Sequence, residues 1–114
     1  MKLTEIIGGN KPSLSFEVFP PKTSDTFESV KTATEQIAKL NPSYMSVTYG
    51  AGGSRSKKTV DIASYIQNTL HIDALAHMTC VGCKEADLMR VCEDLMAANI
   101  KHCLALRGDR PKDM

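Results

Sequence analysis

Four polar side chains recur along this chain at nearly even spacing, each near the carboxyl end of an apolar, strand-forming run. They are Glu17, Thr48, His77 and Arg107, set 31, 29 and 30 residues apart. A period near thirty is the length of one strand plus one crossover helix. Repeating that unit commits a chain to a parallel sheet with right-handed crossovers, because parallel neighbours cannot be joined by a tight hairpin.

The first run alternates, with Leu14, Phe16 and Val18 on one side and Ser15, Glu17 and Phe19 on the other; Pro20 and Pro21 end it. Ser24 or Asp25, with Glu28 completing a capping box, opens a helix whose stripe is Phe27, Val30, Ile37 and Leu40, filled in by Ala33 and Ala38. Asn41-Pro42 closes it. A second strand over 44–49 divides Met45, Val47 and Tyr49 from Ser46 and Thr48, and a glycine-rich loop over 50–54 follows. Ser56 is expected to cap the next helix, which carries Val60, Ile62, Ala63, Ile66 and Leu70. A third strand over about 73–79 turns at Gly82 into a helix with Leu88, Val91, Cys92, Leu95 and Met96 on one face, ending near Asn99. The fourth strand is 102–106, broken by Gly108 and Pro111. Residues 1–12 are a lead-in, a short helix or a loose segment, halted by Gly8, Gly9, Asn10 and Pro12.

The order β-α-β-α-β-α-β suits an open flavodoxin-like or Rossmann-like sheet and also part of a (β/α)8 TIM barrel. Two details favour the barrel. Strands covered by helices on both faces read as continuous apolar runs. Here one face is expected to keep Ser15, Glu17, Ser46, Thr48, His77, Thr79 and Arg107, and the four recurring polar residues fall at the strand ends where barrel active sites lie. A barrel needs roughly 250 residues and eight strands. The 114 residues supply about the first four strands and three helices, so the chain is expected to be the front of one longer barrel domain or a fragment that pairs with something.

The net charge of +1 gives no electrostatic case for nucleic acid or an anionic membrane. No apolar run approaches the roughly 18 residues of a membrane span. The amino terminus lacks a signal-peptide core, and four cysteines without one suggest free thiols in the cytoplasm.

Glu17 is the residue that most needs an explanation. A carboxylate in an apolar strand must be paired, protonated or working. A low-dielectric barrel mouth disfavours the anion and suits a general acid, whereas a structural ion pair with Arg107 or Lys22 is the plainer alternative. The loop 50–54 can cradle an anion at a helix start but has neither nucleotide-binding glycine spacing. His77, Cys80 and Cys83 offer a zinc or thiol-redox module, although no second compact ligand pair accompanies them. Arg107, facing inward, suits a phosphate or a carboxylate.

Four segments taken together resemble the methylenetetrahydrofolate reductases: Ser15-Phe16-Glu17-Val18-Phe19-Pro20-Pro21-Lys22, Ser46-Val47-Thr48-Tyr49-Gly50-Ala51, Ala76-His77-Met78-Thr79-Cys80 and Ala105-Leu106-Arg107-Gly108-Asp109. The resemblance implies a flavin-bearing barrel in which NAD(P)H reduces FAD and the flavin passes hydride to 5,10-methylenetetrahydrofolate, yielding 5-methyltetrahydrofolate. It implies Glu17 as the acid that opens the folate's five-membered ring and Asp109 as a carboxylate beside flavin and pterin. It further implies Thr48, Tyr49, His77, Arg107 and Gly108 as flavin contacts, Thr48 also meeting the nicotinamide. No metal is expected, the C-x-x-C has no implied role, and the full-length protein is expected to be a cytoplasmic homo-oligomer. The family's remaining flavin and folate contacts come from later strands and helices. The alternatives are the zinc or thiol module and an inactive half-barrel that only self-associates.

Overall fold

The computed structural model describes residues 2–20, 27–49, 53–80 and 84–107. The expected cap at Ser24 or Asp25, Lys22, most of the loop 50–54, the turn at Gly82, Cys83, Gly108 and Asp109 lie outside them.

The elements run α1 (Leu3–Ile7), β1 (Ser15–Val18), α2 (Phe27–Ala38), β2 (Tyr44–Val47), α3 (Gly53–Ser64) continuing into a π-helical turn (Tyr65–Thr69), β3 (Ala74–Thr79), α4 (Glu85–Ala97) and β4 (His102–Leu106). The lead-in therefore contains a short helix. It stops at Gly8, whose N–H donates to the Thr4 carbonyl at 2.9 Å and where a Cβ would lie only 2.9 Å from that same oxygen. α3 starts at Gly53, three residues before the expected cap, so Ser56 lies inside the helix. A hydroxyl residue marks a possible start, but it does not prevent the turn before it from joining the helix. α4 is fixed at its start by a reciprocal pair: the Lys84 N–H donates to Asp87 Oδ2 at 3.1 Å and the Asp87 N–H donates to the Lys84 carbonyl at 3.0 Å.

The unit repeats in its turns as well as its elements. Asn41, His71 and Asn99 have φ of 55°, 58° and 64°, and each stands three residues before a strand. After α4 this is a Schellman turn: Asn99 N–H donates to the Met96 carbonyl and Ile100 N–H to the Leu95 carbonyl. Ile100, the residue after the left-handed one, is then buried against the core.

The sheet order is β1-β2-β3-β4, all parallel. Sequential order without reversal distinguishes it from a doubly wound sheet, which changes winding direction at a switch point. Met45, Val47, Ala74, Ala76 and Met78 form a single core with Val60, Ile62, Ala63 and Ile66 of α3 and its π turn, and with Val91 and Leu95 of α4. Fully burying such side chains contributes about 1.5–3 kcal/mol each, so this layer holds the helices on the sheet. Four described residues expected in helix stripes are not in it, among them Ala33 and Ala38 of α2. Leu40 is 60% exposed because α2 has already ended at Ala38, and Met96 is 70% exposed at the trailing edge of the α4 stripe.

The other strand parity carries Ser15 and Glu17, Tyr44 and Ser46, Leu75, His77 and Thr79, then His102, Leu104 and Leu106. Arg107 does not belong to it. β3 pairs with β4 at an offset of 27 residues (His77↔Leu104), so a step of 30 from His77 lands three places further along, on the alternate parity with Cys103 and Ala105. An odd difference between repeat spacing and register changes the face.

Candidate functional site

Two adjacent register rows build the site. Glu17 of β1 is directly opposite Ser46 of β2, and Ser46 in turn opposite Leu75 of β3. One step along, Val47 pairs with Ala76, which brings Thr48 level with His77. Three strands thus deliver a carboxyl, two hydroxyls and an imidazole to one patch near their carboxyl ends.

The side chains meet. Ser46 Oγ donates to Glu17 Oε1 at 3.3 Å, and His77 Nε2 lies 3.6 Å from the same oxygen. Both contacts fall on Oε1. The His77 side chain is 14% exposed and that of Glu17 48%, so the imidazole is enclosed while the carboxyl is open on one flank. Sequence reasoning offered Lys22 or Arg107 as the plain partner of Glu17; the contacts described for its carboxyl are to Ser46 and His77, and Lys22 lies outside the described residues. The signal for Ser46 was available in the spacing, since 29 residues separate it from Glu17 and the same parity runs through both.

Thr48 is tied down through its backbone. Its N–H donates to the Val18 carbonyl at 3.0 Å, extending the β1–β2 ladder by one rung. Its carbonyl accepts from Thr59 Oγ1 at 3.0 Å, a buried hydroxyl on α3 that sequence reasoning passed over. Tyr49 is half-buried and packs on the apolar core side of the sheet. Arg107 follows directly after β4, whose end is held to β3 by the Cys80 N–H donating to the Leu106 carbonyl at 2.8 Å. Of the expected site residues, Glu17, Thr48 and His77 share one patch, Tyr49 and Arg107 have the other parity, and Gly108 and Asp109 lie outside the described residues.

A carboxyl bonded on one oxygen by a hydroxyl and flanked by an imidazole can hold or release a proton at the other oxygen. The patch also has an apolar border. Leu104 and Leu106 share its parity and are 41% and 39% exposed. An apolar floor beside convergent polar groups fits a flat heteroaromatic cofactor with a polar edge. Of the alternative zinc or thiol module, His77 and Cys80 are among the described residues and Cys83 is not. Among the described residues no group of three His, Cys, Asp or Glu side chains is placed to hold a metal ion. The Cys103 thiol, on a residue otherwise exposed, is pushed above its usual range by burial and then by its neighbours Cys92 and Cys80, the reverse of an activated thiolate. No described helix is long and apolar enough to cross a membrane.

Comparison with known proteins gives the same direction throughout. The methylenetetrahydrofolate reductase family model matches residues 2–114. The chain is 35% identical over 101 residues to a 5,10-methylenetetrahydrofolate reductase of Pectobacterium carotovorum subsp. carotovorum, covering 89% of this chain and 34% of that protein. It is 34% identical over 110 residues to methylenetetrahydrofolate reductase (NADH) 1 of Zea mays, covering 96% of this chain and 18% of that one. It is 33% identical over 99 residues to the 5,10-methylenetetrahydrofolate reductase of Escherichia coli K12, covering 87% of this chain and 33% of that one. The chain therefore spans about a third of the length of its bacterial relatives and less than a fifth of the maize one. A parallel strand-helix repeat with the expected carboxyl and imidazole in contact, and a family match along almost every residue, lead to one conclusion: this chain belongs to the methylenetetrahydrofolate reductase family.

Proposed function

We propose that these residues are the front portion of a flavin-dependent (β/α)8 barrel, with 1–12 as its lead-in, that reduces 5,10-methylenetetrahydrofolate to 5-methyltetrahydrofolate. The contact of Glu17 with Ser46 and His77 on the sheet face opposite the core is the observation that carries this reading. Sequential strand order, with the helices represented in one core, supports the barrel. The plant relatives, named as NADH enzymes, support NADH as a reductant.

Thr48 and His77, on the patch, are proposed to hold FAD together with Arg107 and Gly108 beyond the end of β4, and with Tyr49 through its backbone, its side chain being packed on the core side. Bound there, the flavin supplies the two-electron hydride chemistry that side chains lack. Glu17 supplies the proton. It passes from the carboxyl to a ring nitrogen of the folate's methylene bridge, that nitrogen keeps the electron pair of the breaking C–N bond, and the bridge carbon becomes an electrophilic iminium. Glu17 is left as a carboxylate, and the Ser46 hydroxyl and His77 stabilise it. Asp109 is proposed to oppose positive charge on the pterin. A cytoplasmic homo-oligomer belongs to the same reading.

The test is Glu17→Gln in the natural polypeptide that carries this segment, with the two half-reactions followed separately by flavin absorbance. Flavin reduction by NADH is expected to continue. Oxidation of the reduced flavin by the folate is expected to slow by about 10²–10⁴-fold, the range for loss of a general acid. Folate reduction at the wild-type rate in Glu17→Gln would overturn the assignment.

A further inference from the structure

We infer that Ser46 is a positioning residue for the Glu17 acid: its hydroxyl holds Oε1 as an acceptor and leaves the transferable proton to Oε2. The inference rests on the reading of Glu17 given above and adds a residue with a separate role.

Ser46 is 8% exposed, in the middle of β2, with its backbone in register between Glu17 and Leu75. Leu75 presents no polar side-chain atom on that row, and the acceptor described for the Ser46 hydroxyl is Glu17 Oε1, 3.3 Å away. A carboxylic acid has one oxygen that carries the proton and one that accepts. A donor fixed on Oε1 selects that oxygen as the acceptor, so the O–H forms at Oε2. Oε2 bears neither the Ser46 nor the His77 contact, and the carboxyl is 48% exposed on its open flank. Without Ser46 the proton is shared between the two oxygens, and one of them is turned toward His77. The 3.3 Å separation is longer than the usual O–H···O distance, as hydrogen bonds at catalytic groups often are before substrate binds.

Single-turnover oxidation of reduced flavin by the folate tests this in the natural polypeptide, comparing Ser46→Ala and Ser46→Thr in wild-type and Glu17→Gln backgrounds. With Glu17 present, Ser46→Ala is expected to slow the folate step about tenfold, with flavin reduction by NADH and flavin content unchanged. Ser46→Thr, which keeps a hydroxyl, is expected to recover most of the rate. In Glu17→Gln the same Ser46→Ala change is expected to cost nothing further, because the group it positions is gone. A wild-type rate in Ser46→Ala, or an equal fractional loss in both backgrounds, overturns the role of Ser46 and leaves Glu17 standing. A wild-type folate step in Glu17→Gln alone removes the acid itself and the inference with it.

Discussion

His77 Nε2 lies 3.6 Å from Glu17 Oε1, although the whole of β2 runs between their strands. The reach is possible because the residue between them on that face is Ser46, whose small side chain leaves the space open and adds its own contact to the same oxygen. A long side chain at that place would separate the acid from the imidazole. The sheet thus uses one small polar residue to let three strands act on one carboxyl.

The strength of that pairing sets the expectation for His77. A loose contact with one half-exposed partner contributes no more than about 1 kcal/mol even when both groups are charged, which is at most about fivefold in any rate or affinity. If His77 served only Glu17, replacing it would have an effect within that limit. As a proposed flavin contact it has more to lose. His77→Asn is expected to raise the FAD dissociation constant at least tenfold, read by flavin fluorescence during titration of the apoprotein, while the folate step at saturating FAD changes by less than about fivefold.

The three left-handed turn residues give a stability prediction that does not depend on the reaction. An L-residue other than Asn, Asp or Gly pays roughly 1–2 kcal/mol to occupy that region. Asn41 and Asn99 are suited to it, whereas His71 with φ of 58° is less so. His71→Asn is expected to raise the thermal midpoint slightly, by a degree or two, and Asn99→Val to lower it by several degrees, since a β-branched residue cannot hold the Schellman geometry without strain. Calorimetric melting of the variants side by side checks both signs.

Those turns also show what was legible in the sequence. Strand and helix order could be read because each unit carries its own period: alternation in β2, a three-four stripe in Leu88, Val91, Cys92 and Leu95, and Asn-Pro after α2. The left-handed turn at His71 was missed because histidine, though enriched in that region, marks it far less decisively than glycine or an Asn-Pro pair. The faces of the strands followed wherever register equals spacing, as for Glu17 and Ser46 or Thr48 and His77. Arg107 went to the other parity because local sequence does not encode how far β4 slides along β3. Thr59 stayed hidden for a related reason: a threonine in a helix looks like many others until the fold brings the Thr48 carbonyl to it.

A pH effect is expected at the opposite side of the fold, on the α2 surface. Tyr65, on the π-helical turn, donates its hydroxyl to Glu35, and Lys31 Nζ lies 5.2 Å from the centre of its ring. The bond to Glu35 holds the phenol proton and pushes the Tyr65 pKa up to about 12 from an ordinary 10, with desolvation and the nearby carboxylates adding to the shift. The folded value lies above the unfolded one, so the contact supports the fold fully below pH 10 and is lost as pH rises toward 12. Tyrosinate absorbance titration is expected to show Tyr65 ionising late, and Glu35→Gln is expected to bring it back toward 10.

Thr59 provides the last prediction, and it links packing to the site. Its hydroxyl is 1% exposed as a residue and donates to the Thr48 carbonyl at 3.0 Å, joining α3 to the end of β2 just where the chain leaves the sheet. Thr59→Val keeps the shape and removes the donor, leaving a carbonyl short of a partner in a buried place, at a cost of about 1–3 kcal/mol. Thr59→Ser keeps the donor and gives up one methyl, about 0.8 kcal/mol of burial. If the bond matters only to stability, both variants lower the thermal midpoint and leave ligand affinity alone. Because Thr48 is proposed to meet both flavin and nicotinamide, loss of the bond is expected to do more: Thr59→Val weakens FAD binding several-fold and raises the KM for NADH, while Thr59→Ser leaves both near wild type. Equal affinities in the two variants would confine Thr59 to the scaffold.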